Sequence, residues 1–170
     1  MMKRLLALIM IFPVLLLLPG SAAAQKDSDP VQQEQILSAA ENFFVFVKHK
    51  NYAAVWSTLS AKSQSKIIND VRKESKKAGV ESTHEALRND FMSGGIMAKA
   101  YWDNFLFVFN PDMVLKECKW EMGKIKSSEA EIVLQYKKSE KPALLKMVKE
   151  NNAWKFGLNE SFGARDLSVF

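Results

Sequence analysis

The chain has a single cysteine, Cys118, and only two histidines among its 170 residues. One cysteine cannot form a disulfide within the chain, and zinc normally takes three or four protein ligands. His49 lies in a charged segment and His84 in a capping turn, and neither has a partner at metal-ligand spacing. We therefore expect no metal and no cofactor. We interpret Cys118 as a small apolar side chain of the core.

Glycine is also scarce, with seven residues, and the only adjacent pair, Gly94 and Gly95, lacks the residues that follow it in phosphate-binding loops. No serine has the G-x-S-x-G context of a hydrolase nucleophile. The formal net charge of +5 is small and dispersed, so the composition gives no reason to expect nucleic-acid binding. The densest basic stretch, residues 72–77, is interpreted as the solvated end of a helix.

A long hydrophobic run does exist at the N-terminus, over residues 5–18, directly after Lys3 and Arg4. A proline and a glycine end the run, and an A-x-A cleavage pattern closes at Ala24. The run is shorter than the roughly 20 apolar residues that a spanning helix needs. We predict that residues 1–24 are a signal peptide cleaved after Ala24. The mature protein is then periplasmic or secreted, with no stable membrane span.

The chain after the signal begins with helical patterns. A polar, proline-containing segment at 25–33 is interpreted as a flexible lead-in to one domain over 34–160. Apolar residues recur at spacings of three and four between positions 36 and 47, which predicts an amphipathic helix. A short second helix is predicted at 52–56. A third helix follows, which Ser60 caps and Gly79 ends.

Two further helices are predicted on either side of the glycine pair. Ser82 and Glu85 have capping-box spacing, which predicts that a helix opens at Ser82. The glycines interrupt that helix. The next segment, 96–110, is rich in aromatic residues, and its length favours a helix, although 105–109 alone could form a strand. Pro111 ends the segment in either case.

After Pro111 the period of the apolar residues changes from 3.6 to two. Runs that begin at Val114 and Ala130 alternate apolar with charged residues, and two more strands are predicted at 143–149 and 154–158, joined by a polar hairpin loop. Residues 161–170 are left as a C-terminal tail. Helices followed by a meander of about four strands predict an α+β fold, with the N-terminal helices packed on a curved antiparallel sheet.

Two stretches of this domain also have a recognisable residue order. Residues 39–44 open a helix that leads into KNYAAVWSTLS at 50–60, and the second stretch is MVKENNAWKF at 147–156. The two together resemble the nuclear transport factor 2-like superfamily of cystatin-like α+β rolls, in particular small exported bacterial members of unassigned activity. The resemblance covers most of 34–160. It implies a cone-shaped roll in which Trp56 and Trp154 seat the helices against the sheet.

The resemblance further implies a conical cavity between helices and sheet, and a possible homodimer formed through the sheet. Members of such families use the cavity for isomerisation, dehydration, ligand capture or subunit contact, and the fold alone does not choose among these. A cavity enzyme of the isomerase or dehydratase type would need an acid or base, for which Asp103 and Asp90 are the weak candidates if burial raises their pKa. Both are more simply interpreted as solvated helix carboxylates.

The aromatic segment carries the functional expectation. Trp102, Phe105 and Phe109 share a helical face, Tyr101 lies beside them, and Trp56 joins the same set. These side chains could simply form the core, or they could line a pocket for an apolar ligand. We expect an exported, non-enzymatic domain that binds a small apolar ligand or an envelope protein partner. The alternatives are the cavity enzyme and a purely structural interaction module.

Overall fold

The computed structural model describes residues 29–163, which form seven helices and one four-stranded antiparallel sheet. The helices are α1 (Pro30–Lys48), α2 (Tyr52–Thr58), α3 (Ala61–Lys77), α4 (His84–Ser93), α5 (Ile96–Val108), α6 (Pro111–Glu117) and α7 (Leu158–Phe162). The strands are β1 (Cys118–Ile125), β2 (Glu129–Tyr136), β3 (Ala143–Glu150) and β4 (Ala153–Gly157), paired in chain order. The predicted α+β fold is confirmed. The predicted signal peptide lies outside the described residues.

The strand register explains how the sheet presents one apolar face. Ile132 of β2 pairs with Met122 and Leu145, so the buried side chains of Ile132 and Leu145 align with the half-buried side chain of Met122. The hairpin between β3 and β4 turns on Asn151 and Asn152, whose φ angles are 49° and 62°. Asparagine tolerates this left-handed conformation, which two-residue hairpins require at both central positions. The predicted polar hairpin loop is confirmed.

Helix α1 lies at the centre of the core. Its buried face includes Phe43, whose ring stacks on Phe156 of β4 with centroids 4.3 Å apart, and Phe44, which meets Trp120 of β1 edge-on at 5.9 Å. The helix therefore bridges both edge strands of the sheet. Trp56 is also buried, but its ring packs at 5.0 Å against Phe91 of α4, so it joins two helices.

Two helices begin at residues other than those predicted. Helix α1 starts at Pro30, inside the segment interpreted as a flexible lead-in, because the Asp29 side chain accepts the N–H of Val31 and proline is favoured in the first turn. Helix α4 is capped by Thr83, whose hydroxyl accepts the N–H of Ala86 at 3.0 Å. The Ser82 carbonyl instead accepts a hydrogen bond from the Arg72 side chain of α3 at 3.1 Å, so the predicted start at Ser82 is wrong by one residue.

The strand predicted from Val114 is likewise wrong at its start. Asn110 accepts the N–H of Asp112 at 2.9 Å, and Pro111 occupies the first turn, so the chain forms α6 before β1 begins at Cys118. The Cys118 thiol is half-buried against the core, and its burial followed by the charge of Glu117 raises its pKa.

At the other end of the sheet, α7 extends past residue 160, where the domain was predicted to end. Within residues 29–163 no helix combines the length and the apolar character that crossing a bilayer requires.

Candidate functional site

A cleft of about 240 Å³ opens between α1, α3, α5 and α7. We call it the aromatic cleft and define it by the residues that line it: Phe43, Phe44, Ser63, Lys66, Ile67, Asp70, Tyr101, Phe105, Val108, Phe109, Leu158, Asn159, Phe162 and Gly163. Its floor is formed by the buried side chains of Phe43, Phe44 and Ile67, whereas Phe105 and Phe109 at its wall are half-buried. The cleft therefore joins the core to the surface.

The aromatic wall of the cleft comes from α1 and α5. Phe105 and Phe109 are four residues apart, so they lie on one face of the helix and its C-cap, with ring centroids 4.9 Å apart. Phe105 meets Phe43 edge-on at 6.5 Å, and Phe109 stacks on Phe44 at 5.9 Å. These contacts make one continuous aromatic surface.

Helix α3 supplies the charged groups of the cleft. Lys66 and Asp70 are one turn apart, and the Lys66 ammonium donates to both carboxylate oxygens, at 2.6 Å to Oδ2. Their side chains are 37% and 35% exposed, so the pair keeps part of its hydration. Since the two charges are opposite and in direct contact, this side of the cleft has no net charge.

The remaining polar contacts fix α7 against α3. Ser63 donates its hydroxyl to the Glu160 carboxylate at 2.7 Å and accepts the backbone N–H of Asn159 at 3.0 Å. Ser60, the N-cap of α3, donates to the same carboxylate at 2.8 Å. The short helix α7 is thereby held in place as one wall of the cleft.

Tyr101 is a second buried side chain of the cleft with a polar group, besides Ser63, and 4% of its surface is exposed. Its ring packs edge-on against Phe91 and Trp102, at 5.6 and 4.9 Å. Burial, and secondarily the Asp70 carboxylate, raise the pKa of Tyr101 above its usual value, so the hydroxyl is neutral. No hydrogen bond joins that hydroxyl to another residue within 29–163.

The structure places the five predicted ligand-binding residues in two groups. Tyr101, Phe105 and Phe109 line the aromatic cleft, whereas the predicted shared face held Trp102 with Phe105 and Phe109 and placed Tyr101 beside them. Trp102 and Trp56 do not line the cleft: both are buried in the core, and Trp56 packs against Phe91 of α4. Trp102 lies 6.1 Å from Phe43, on the side of α5 that faces α1. Of the five residues, three therefore line the cleft and two belong only to the core.

Asp103, the first carboxylate considered for catalysis, lies outside the cleft. It accepts hydrogen bonds from the Lys50 ammonium at 2.8 Å and the Tyr52 hydroxyl at 2.5 Å, and half of its side chain is exposed. The bonds from Lys50 and Tyr52 hold the pKa of Asp103 below its usual value. The interpretation as a solvated helix carboxylate is confirmed, and the idea that burial raises its pKa is wrong.

Asp90, the second candidate, has a structural task at the junction of α4 and α5. Its carboxylate accepts the N–H of Ala98 at 2.8 Å, and its carbonyl accepts the N–H of Gly95 at 2.7 Å. Gly95 is the N-cap of α5 and has no side chain to cap with, so Asp90 takes that role. Asp90 does not line the aromatic cleft.

The sequence did not reveal that polar side chains of α3 line the cleft. Lys66 and Asp70 have the four-residue spacing of a helical ion pair, which was a usable signal. That spacing does not tell which neighbour the pair faces, because the position of α3 beside α5 is set by tertiary packing. Among residues 29–163, no group of three or more His, Cys, Asp or Glu side chains is placed to hold a metal ion.

No known protein family, curated protein or solved structure matches the chain. Membership of the nuclear transport factor 2-like superfamily therefore stays a prediction from the two resembling stretches.

Proposed function

We propose that this protein is an exported, non-enzymatic binding protein that holds a small apolar ligand in the aromatic cleft. The observation that carries the proposal is the lining of the cleft, in which a continuous aromatic surface meets a few polar groups on one side. Small-molecule sites have this composition. Because an apolar cavity of about 150 Å³ can hold benzene, a cleft of about 240 Å³ has room for a ligand of one or two rings. The predicted signal peptide supports export.

The positions of the carboxylates favour binding over catalysis. Asp103 is paired at the surface and Asp90 caps α5, so neither faces a ligand in the cleft. The carboxylate that does line the cleft, Asp70, is held by Lys66. A general acid or base needs free access to the reacting proton. The arrangement therefore supports ligand capture.

A protein partner is the second candidate, and one observation favours it. Phe107 is 87% exposed and Val108 is 62% exposed, next to each other at the end of α5. Val108 also lines the cleft, so this apolar surface continues from its mouth. An envelope protein that docks here would cover both side chains.

The test of ligand binding is a thermal-shift and calorimetric titration of the mature protein with small aromatic probes, toluene first. Binding stabilises the folded state by mass action, by about 2.7 kcal/mol when the ligand is at 100 times its dissociation constant. Ile67→Phe adds a ring to the floor, and Val108→Trp narrows the mouth at an exposed position that tolerates it. We expect both variants to lose binding.

The matched control is Phe107→Ala, which removes an aromatic ring from the same helix outside the cleft. It should bind toluene as the unmodified protein does. Undiminished toluene binding by both cleft variants, or no toluene binding by the unmodified protein, would refute the ligand proposal. Retention of one envelope protein that depends on Phe107 and survives both cleft variants would establish the second candidate instead.

A further inference from the structure

The charges of the aromatic cleft restrict the ligands that it can hold. Lys66 and Asp70 are the only charged side chains among its described lining residues, and they neutralise each other. An anionic ligand that approached Lys66 would also meet Asp70, and a cationic ligand beside Asp70 would meet Lys66. Either one would have to displace a charge-assisted hydrogen bond and lose its own hydration. The cleft therefore disfavours an ionised ligand.

The hydrogen-bonding groups of the cleft restrict the ligand further. The Ser63 hydroxyl is already engaged by Ser60, Asn159 and Glu160. The Tyr101 hydroxyl, in contrast, makes no hydrogen bond to another residue within 29–163, and it is not one of the fully buried polar atoms of this part of the chain. Its oxygen is therefore open to the cleft, although most of the side chain is buried, and it can hydrogen-bond to a ligand there. A ligand oxygen beside Tyr101 would satisfy it.

Tyr101 lies where such an oxygen would be placed. Its hydroxyl is within electrostatic reach of Asp70 on α3, and its ring belongs to the same helix as Phe105. A ligand with its rings on the aromatic wall can thus direct one polar atom towards the Tyr101 hydroxyl. A hydroxyl can donate or accept, so the ligand atom can be an alcohol, a phenol or a carbonyl oxygen.

Building on the proposed function, we infer that the ligand of the aromatic cleft is a neutral aromatic or aliphatic molecule with one hydroxyl or carbonyl oxygen, which hydrogen-bonds to Tyr101. Its apolar part packs on Phe43, Phe105 and Phe109. Fatty-acid carboxylates and protonated amines are disfavoured by the closed Lys66–Asp70 pair.

The experiment uses five probes of similar size and different polar groups: toluene, benzyl alcohol, acetophenone, benzoate and benzylamine. Each is titrated calorimetrically into the mature protein and into Tyr101→Phe, which keeps the ring and removes only the hydroxyl. We expect Tyr101→Phe to bind benzyl alcohol and acetophenone about fivefold more weakly, the worth of one hydrogen bond. Toluene should bind both proteins equally, and the two ions should bind less tightly than the alcohol.

A second variant tests the role of the ion pair. Asp70→Asn leaves Lys66 unpaired and gives the cleft a positive charge, so we expect benzoate to bind several-fold more tightly while toluene is unaffected. Tyr101→Phe also serves as a folding control, since removal of a hydroxyl that has no hydrogen-bond partner within residues 29–163 should not lower the unfolding midpoint.

The outcomes separate this inference from the function on which it rests. Failure of toluene and of every other probe to bind would overturn the proposed function itself. Equal loss, or no loss, of toluene and benzyl alcohol affinity in Tyr101→Phe would leave a working apolar cleft and overturn the role of Tyr101. Tighter binding of benzoate or benzylamine than of benzyl alcohol to the unmodified protein would show that the ligand is ionised.

Discussion

In the first half of α5 the side chains of Tyr101 and Trp102 are buried among neighbouring helices, and of these two only Tyr101 lines the aromatic cleft. In the second half and at the C-cap, the half-buried Phe105 and Phe109 form the wall of the cleft. The exposure of the aromatic side chains rises along the helix, from 0% at Trp102 to 87% at Phe107. The residue types hardly change between the two halves. An aromatic segment therefore becomes core where other elements surround it, and becomes a binding wall where α3 and α7 leave space.

Local sequence explains why α5 ends at Val108, at the boundary between the core and the cleft. Asn110 must adopt an extended conformation, because it precedes Pro111 and because it caps α6. Phe109 is already extended, with φ −131° and ψ 123°. The chain thus leaves the helix while its apolar residues continue, and the last aromatic side chains stand at the edge of the core.

The largest effect that tests this contrast is expected in the buried half. Trp102→Ala removes a side chain that packs on Phe43, Tyr101 and Phe105, and should lower the free energy of unfolding by about 3–5 kcal/mol. Trp102→Phe is the control: it keeps a ring and removes an indole N–H that has no hydrogen-bond partner within residues 29–163, so its cost should be much smaller. Urea unfolding measures both. A cost for Trp102→Ala below about 1 kcal/mol would contradict its place in the core.

In the cleft half, the same kind of truncation should cost less. Phe105 is half-buried, so Phe105→Ala loses only part of the apolar burial that Trp102 provides, and we expect a loss of about 1–2 kcal/mol. The variant should also bind toluene several-fold more weakly, because a wall of the cleft is gone. Equal destabilisation by Phe105→Ala and Trp102→Ala would erase the difference between the two halves.

The sequence alone predicted the secondary-structure elements between which this contrast arises, but not the contrast itself. The aromatic segment is a helix from Ile96 to Val108, the glycine pair interrupts the chain before it, and four alternating strands form the meander. These features depend on local periodicity and on the conformational freedom of glycine and asparagine. Gly94, for example, adopts φ 67° at the C-cap of α4, as an interrupting glycine should.

Other features depended on choices that local patterns leave open. Pro111 correctly predicted the end of one helix, but proline also favours the first turn of the next, and the side chain of Asn110 decides for α6. Trp102 and Phe105 have the same period, and only the packing of α1, α3 and α7 around α5 separates core from cleft. For the same reason, the sequence did not show that Lys66 and Asp70 of α3 line the cleft.

A smaller effect is expected at the junction that orients α5. A Cβ on Gly95 would lie 2.2 Å from the Asp90 Oδ2, so Gly95→Ala must push the carboxylate away from the N–H of Ala98. We expect a loss of about 1 kcal/mol, the usual worth of a helix cap. Asp90→Ala should cost about the same.

The double variant Gly95→Ala/Asp90→Ala should cost little more stability than either single variant, since both substitutions remove the same hydrogen bond from the Ala98 N–H to Asp90. Urea midpoints of the three proteins measure this. Additive losses would show that Asp90 does not cap α5.

The smallest effect belongs to the solvent-facing side of α5, where Asp103 accepts bonds from Lys50 and Tyr52. Because these bonds lower the pKa of Asp103 below its usual 3.8, the carboxylate adds stability above that value and loses it as the pH falls through the lowered pKa. Half of the side chain is exposed, so solvent screening limits the gain to about 0.2–1 kcal/mol. We expect Asp103→Asn to be less stable than the unmodified protein at neutral pH by this amount. The difference should shrink between about pH 5 and pH 2 and should also shrink in high salt. A difference that stays constant over this pH range would mean that the Asp103 charge contributes nothing, and a loss as large as that of Trp102→Ala would mean that this side of α5 is not a solvated surface.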